Sequence, residues 1–264
     1  MNLQLKDKTA FISGSTSGIG FATAKALLKE GVNVIINGRT QEGVNEAIKK
    51  LNNELVEASV KGIPADFSKH EDIESLIKRL PNLDILINNV GIYKSDSFFK
   101  TSDKDWYDQF EINVMSGVRL SRYCLPKMLD NNWGRILFVS SECATLVPED
   151  LIAYSMTKTA ILSISRGLAQ LTKETNVTVN SVLPGSTLSE GADNFLKEVA
   201  IKGKKTKREV EEEFFSDVRT SSLIQRFATV DEVANTITYF ASPLSSATNG
   251  AAIKVDGGSM GGII

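Results

Sequence analysis

The chain has 264 residues, 42% hydrophobic and 23% charged, with a formal net charge of −2. That length suits one domain with a large core, and the near-neutral charge gives no general electrostatic attraction to nucleic acid or an anionic membrane. No apolar run approaches the ~20 residues of a membrane span, and Met1–Lys8 carries no signal-peptide core, so a cytoplasmic protein is expected.

In chain order, Thr9–Ser13 reads as a strand and Gly18–Glu30 as a helix. Val32–Ile36 is a second strand, followed by a helix over Gln41–Leu55. Ala58–Ile63 is a third, followed by a helix over Glu71–Leu80. Leu83–Ile87 is the fourth, and Trp106–Leu129 supplies one long helix or two in sequence. Arg135–Val139 is the fifth strand, and the helix bearing Tyr154 runs to about Lys173. Val177–Leu183 is the sixth, Val230–Ala241 a helix, and Ala251–Val255 the last strand.

Near-continuous apolar strands between helices are the pattern of a parallel sheet covered on both faces, and the right-handed crossover rule makes it doubly wound. The expected architecture is a single α/β domain of the Rossmann type over residues 1–264, with a seven-stranded parallel sheet. Ligands in such folds bind beyond the carboxyl ends of the strands, where every chemical motif of this chain falls. No linker or internal repeat interrupts the pattern. Residues 188–226, rich in Lys, Glu and Phe, are inserted before the last helix. Their apolar spacing predicts two helices forming a substrate lid.

Two cysteines are too few for a disulfide framework or a structural zinc site. Cys124 falls in an apolar helical pattern and reads as core. Cys143 has two readings, a core residue or part of a pocket wall. The one histidine, His70, sits in a polar helix start and reads as surface. A His-dependent hydrolase and a multi-histidine metal enzyme are both disfavoured, and no metal site is expected.

Tyr154 and Lys158 lie one helical turn apart on one face, with Ser141 arriving from a strand end. A phenol with a pKa near ~10 is a poor proton-transfer group at neutral pH. A nearby ammonium favours its phenolate, so Lys158 is expected to lower the Tyr154 pKa. Tyr-x-x-x-Lys alone occurs by chance on many helices, so the rest of the chain has to support it.

Ser13-Gly14-Ser15-Thr16-Ser17-Gly18-Ile19-Gly20 follows the first strand and opens the first helix. Glycines there let the backbone turn tightly and approach a pyrophosphate at the helix N-terminus. The spacing is Gly-x-x-x-Gly-x-Gly. With it come Asn88-Asn89-Val90-Gly91, Asn113 in Glu111-Ile-Asn-Val114, the Ser141–Tyr154–Lys158 set, Pro184-Gly185 and Val255-Asp-Gly-Gly258. On these motifs the chain resembles the short-chain dehydrogenase/reductase family over essentially its whole length. It is close in pattern to the 3-oxoacyl-[acyl-carrier-protein] reductases, with Ser13 where the family has threonine.

The resemblance implies hydride transfer between a nicotinamide dinucleotide and a carbonyl or secondary alcohol. Tyr154 would be the general acid/base. Ser141 would hydrogen-bond the reacting oxygen, and Lys158 would hold the nicotinamide ribose. Asn113 would position a water that leads protons to solvent. Gly14, Ser15, Ser17, Gly18, Ile19 and Gly20 are expected around the phosphates. Asp66 and the backbone of Phe67 are expected at the adenine, Asn89 and Gly91 at the adenosine ribose, and Pro184, Gly185 and Thr187 at the nicotinamide.

After the second strand comes Asn37-Gly38-Arg39, where an acidic residue would select NAD. Arg39 suits a 2′-phosphate, with Ser15 as a second contact. NADP(H) is therefore preferred and NAD(H) is the alternative. The other reading of Arg39 is a solvated helix-start residue.

Substrate specificity is less legible. Glu142, Cys143, Leu146, Val147 and Pro148 are candidates for one wall, Ile92 and Tyr93 for another, and Leu188, Phe195 and Leu196 for a roof. The partner is a small-molecule carbonyl or alcohol. Exposed apolar faces on two helices would suit a homodimer or, as in similar proteins, a homotetramer. Lys202–Arg208 reads either as a docking patch for a carrier protein or as a solvated turn. A nucleotide-binding regulatory protein of the same fold is the alternative function. It would have little need of Tyr154, Lys158 and Ser141 together, and a methyltransferase would not explain that set or Arg39.

Overall fold

The computed structural model describes residues 2–55 and 58–262; Met1, Val56, Glu57, Ile263 and Ile264 lie outside the described residues. The first half-sheet comprises β1 (Thr9–Ile12), α1 (Gly18–Lys29), β2 (Asn33–Gly38), α2 (Gln41–Glu54), β3 (Val60–Pro64) and α3 (His70–Arg79). The second begins with β4 (Ile85–Asn88), α4 (Asp103–Phe110), α5 (Ser116–Asp130) and β5 (Gly134–Val139). It continues through α6 (Cys143–Leu146), α7 (Ile152–Gln170) and β6 (Val177–Pro184). The inserted segment contains β7 (Thr187–Leu188), α8 (Glu190–Gly203), α9 (Lys207–Glu213) and β8 (Ala228–Thr229), before α10 (Val230–Phe240) and β9 (Ala252–Val255).

Seven strands form one parallel sheet in the order β3-β2-β1-β4-β5-β6-β9. Valine, isoleucine, leucine and phenylalanine fill both of its faces, which is why its strands read as continuous apolar runs. On one face Leu27, Ile36, Ile87, Val139 and Ile237 share a core with α1 and α10. On the other, Phe11, Leu86, Leu120, Phe138 and Ile161 share a core with α3, α5 and α7. Polar caps fix where several helices begin. Thr40 accepts from the Gly43 N–H, and capping boxes at Ser102/Asp105, Thr206/Glu209 and Thr229/Glu232 start α4, α9 and α10. Among the described residues no helix is long and apolar enough to cross a membrane.

The strand order reverses between β1 and β4, so the chain leaving those strands diverges and opens a crevice. Polar groups close its floor. Ser13 Oγ accepts from the backbone N–H groups of Asn89 (2.9 Å) and Val90 (3.0 Å). Asn89 Nδ2 donates back to the carbonyls of Ser13 (3.0 Å) and Gly14 (2.8 Å). Gly14 (φ +60°) and Gly18 (φ +58°) adopt left-handed backbone that side chains disfavour.

Two details go beyond the sequence reading. The helical run after β4 is divided by a π turn at Glu111–Met115, with Asn113 inside it. Arg135, expected simply within a strand, is a buried cation. It donates to the carbonyls of Gly134, Asn176 and Ser242, and burial pulls its pKa down to about 10. The insertion does contain two helices, and β7 pairs with β8 to close its base.

A methyl group on Gly20 would stand 2.6 Å from the Gly14 carbonyl oxygen and from Asn89 Nδ2. Gly20→Ala is therefore expected to cost about 1–3 kcal/mol by overpacking the turn. A denaturant midpoint unchanged from wild type would show that the turn yields freely.

Candidate active site

β5 ends in two serines with different tasks. Ser140 is buried and donates to the Lys158 carbonyl (2.9 Å), tying α7 to the sheet. Ser141 reaches the cleft, and its Oγ accepts from the Cys143 N–H at 3.1 Å. Two threonines fix α7 further. Thr159 donates to Ala144 O (2.7 Å), and Thr157 donates to Tyr154 O (2.7 Å) while accepting from Asn113 Nδ2 (3.0 Å).

Tyr154, Lys158 and Ser141 line one cleft of about 500 Å³. Tyr154 is half-buried, with the Tyr93 ring edge-on at 5.9 Å. Lys158 is 3% exposed, and its Nζ donates to the Val139 carbonyl at 2.9 Å. Asn113 lies just behind. Its amide exchanges hydrogen bonds with the backbone of Ile92, accepting at 2.7 Å and donating at 2.8 Å. A Cβ on Gly91 would meet Lys158 Nζ at 3.3 Å and Asn113 Oδ1 at 3.5 Å, so these groups crowd one glycine.

The electrostatics depart from the expected activation of the phenol. Desolvation is the largest influence on Tyr154 and pushes its pKa above the ordinary phenol range, with the Ser141 hydroxyl opposing weakly. Lys158 Nζ stands 5.5 Å from the centroid of the tyrosine ring. Its own charge is disfavoured by burial, and its pKa falls to about 8. Among the chain's own groups burial is thus the dominant influence on the phenol.

A second cleft, of about 540 Å³, adjoins the first, and both are lined by Asn89, Gly91 and Ile92. Gly14, Ser17, Arg39, Asp66 and Phe67 line the second, while Ile19, Pro184, Gly185 and Thr187 line the first. Gly18 and Gly20 shape the turn without lining either cleft. Asp66 accepts from the Ser68 N–H and Oγ at 3.0 and 2.8 Å, and these bonds hold its carboxyl below the usual range.

Ser15 departs from its expected phosphate contact. It is fully buried, its Oγ donates to Ile12 O (2.7 Å), and it accepts from the Asn37 N–H (2.9 Å). Thr16 stands at the cleft instead, its methyl 2.5 Å from where a Gly38 Cβ would be. Asn89 contributes more to the turn than to the cleft wall, since its Nδ2 already serves two carbonyls.

Of the expected substrate walls, Glu142, Cys143, Ile92, Tyr93 and Phe195 line the cleft that holds Tyr154. Leu146, Val147, Pro148, Leu188 and Leu196 do not; Leu196 is buried within the insertion's own small core. Residues not anticipated there are Leu151, Ser186, Phe214, Phe227 and Arg219. The Arg219 Nε donates to Glu142 Oε1 at 2.9 Å across 77 residues of sequence, a pairing that no local spacing announces. Cys143 satisfies both of its readings, being buried and lining the cleft.

The arrangement fits a dinucleotide. Two left-handed glycines and Gly20 hold the backbone close at the N-terminus of α1, and the paired clefts make one trough from Arg39 to Tyr154. Among the described residues no cluster of His, Cys, Asp and Glu could hold a metal ion.

Because the Lys158 pKa is lower in the folded than in the unfolded chain, the cost of burying its charge is full below pH 8. That cost is relieved as pH rises toward the ordinary value of 10.5. Lys158→Met is expected to stabilise the cofactor-free protein by roughly 3 kcal/mol at pH 7, with the gain shrinking towards pH 10. Denaturant titrations at both pH values measure this, and equal gains would eliminate buried charge as the cause.

Residues 8–200 match the family model described as short chain dehydrogenase. The "uncharacterized oxidoreductase" YvaG of Bacillus subtilis (strain 168) is 45% identical over 98% of this chain and 98% of its own length. YvrD, of the same organism and the same description, is 47% identical with the same coverage. Among solved structures, the L-sorbose reductase of Gluconobacter frateurii, complexed with NADPH and L-sorbose, superposes with a TM-score of 0.92. It is 28% identical, and the match covers 100% of both chains. With a doubly wound sheet, a glycine turn and the matched residues together, the chain belongs to the short-chain dehydrogenase family and is an oxidoreductase of that family.

Proposed function

We propose that the protein is an NADP(H)-dependent reductase of a small-molecule carbonyl, with Tyr154 as proton donor. The observation that carries this reading is the convergence of Tyr154, Ser141 and Lys158 in one cleft that continues into the glycine-turn cleft. NADPH would supply a hydride to the carbonyl carbon. The carbonyl oxygen takes a proton from the Tyr154 phenol, and Ser141 Oγ steadies its developing charge.

Burial keeps the phenol protonated at neutral pH, the form that reduction requires. Lys158, held at Val139 O beside Gly91, would hold a ribose hydroxyl of the nucleotide. Asn113 Oδ1 accepts one hydrogen bond among the described residues, so its second lone pair would serve a water. Ser17 caps α1 without spending its hydroxyl on the helix, which leaves it for a phosphate.

The NADP(H) preference rests on Arg39, which is exposed at the second cleft with no ion-pair partner among the described residues. Gly38, with Thr16 packed over it, offers no carboxylate to repel a 2′-phosphate. The NADPH complex of the sorbose reductase points the same way. The insertion over residues 188–226 serves as a lid in this reading, since Phe195, Phe214 and Arg219 form the outer wall of the cleft. Exposed Phe99 and Tyr107, together with Met156 and Leu171, suit contacts between copies of the chain in a homodimer or homotetramer.

Tyr154→Phe is expected to lower kcat for carbonyl-dependent NADPH oxidation roughly 100- to 10,000-fold while NADPH binding survives; retained turnover would sink the assigned proton donor. Arg39→Ala is expected to weaken NADPH binding roughly 10- to 100-fold and NADH binding far less. Fluorescence titration of both nucleotides measures this, and equal losses would reject a phosphate contact.

A further inference from the structure

Within the catalytic cleft, the wall that the insertion and its C-terminal flank contribute carries three aromatic rings and one charged side chain. Phe195, Phe214 and Phe227 line it, and between them stands Arg219. This arginine is held rigidly. Its backbone N–H donates to Phe214 O (2.9 Å), and its guanidinium carbon lies 5.8 Å from the Phe214 ring centroid. Its Nε donates to Glu142 Oε1 (2.9 Å) and its Nη1 to Val218 O (3.3 Å).

Those two bonds leave the Nη2 amino group and one Nη1 hydrogen without a partner among the described residues. They form the edge of the guanidinium that grips a carboxylate bidentately. Glu142 does not occupy that edge. Its Oε1 is bound from the Nε side and from Ser186 Oγ (3.3 Å), and its Oε2 is buried towards Gly185 with no donor.

The charge balance agrees. The cleft is lined by two cationic side chains, Lys158 and Arg219, and one anionic side chain, Glu142. Among the described residues Lys158 has only the neutral Val139 carbonyl as partner and Arg219 is paired with Glu142, so the cleft as a whole keeps a net positive charge. On the insertion side the unpaired guanidinium edge supplies the donors for an anion. Glu142 directly follows Ser141, so its ion pair sets the distance from the guanidinium to the reacting carbonyl.

We propose that Arg219 is the substrate-positioning residue of this cleft and takes the carboxylate of an oxo acid whose body is apolar. The carboxylate is unchanged by the reaction, and its capture orients the ketone against Ser141 and Tyr154. This rests on the carbonyl-reductase reading above.

The test uses the full chain, NADPH and a short series of aryl oxo acids, beginning with 4-oxo-4-phenylbutanoate, each paired with its methyl ester. Wild type is expected to favour acids over esters in kcat/KM. Arg219→Met combined with Glu142→Gln leaves no unpaired buried charge. It should reduce the acid-to-ester ratio roughly 10- to 100-fold, mainly through the KM of the acid. Arg219→Lys should restore part of that ratio. A thermal melt separates these effects from unfolding. Esters reduced as well as acids by wild type, or a double variant losing the same factor on both, would overturn the carboxylate assignment while leaving carbonyl reduction intact. Failure of the Tyr154→Phe result would instead strike the reductase reading itself.

Discussion

Parallel strands that wind outward in opposite directions leave a gap at their carboxyl ends, and its exposed backbone groups need partners. In this protein Ser13 and Asn89 supply them, the hydroxyl accepting two backbone N–H groups and the amide donating to two carbonyls. The stitch holds the glycine turn after β1 against the loop after β4. Gly20 must be small because Asn89 and the Gly14 carbonyl press on it. Both clefts take their shared wall from this loop, through Asn89, Gly91 and Ile92. The geometry of both clefts therefore depends on one small polar network.

The cleft around Tyr154 is assembled by a second set of polar contacts in a buried setting. Ser140, Thr157 and Thr159 use their hydroxyls to fix α7 against β5, α6 and the π turn bearing Asn113. The widened turn carries Asn113 to the backbone of Ile92 and to Thr157 at once. Desolvation then acts on the residues so fixed. It favours the neutral phenol of Tyr154 and pulls down the pKa of Lys158. Spacing alone suggests an ammonium activating a phenol, whereas burial disfavours the charged forms of both groups.

The insertion brings its own small core of Leu196, Ala200 and Val210, with Phe214 and Phe227 stacked at 5.0 Å. Its base is closed by the β7–β8 pair, and Arg219 ties it to Glu142 after β5. Removing one partner of such a half-buried pair leaves the other charge stranded, so the contact specifies where the insertion sits.

Much was legible in the sequence because it is carried by local rules. Apolar runs such as Val34–Ile36 and Ile85–Ile87 show strands buried on both faces, and glycine spacing marks the tight turn. Helical periodicity puts Tyr154 and Lys158 on one face, and strand ends gather the motifs at one edge. What the sequence could not reveal depends on which atoms are taken by distant partners. Ser15 and Thr16 are adjacent and both hydroxylated, yet Ser15 is consumed by Ile12 and Asn37 while Thr16 stands at the cleft. Arg219 meets Glu142 only because the insertion folds back over β5 and β6. The depth that shifts the Tyr154 and Lys158 pKa values is likewise a property of packing. Sequence alone determined the fold and singled out Ser141, Tyr154 and Lys158 as candidates, because periodicity, turn chemistry and motif spacing act over short stretches. Tertiary structure alone decided which polar groups remain free in the cleft, because burial and hydrogen-bond pairing are fixed by neighbours far apart in the chain.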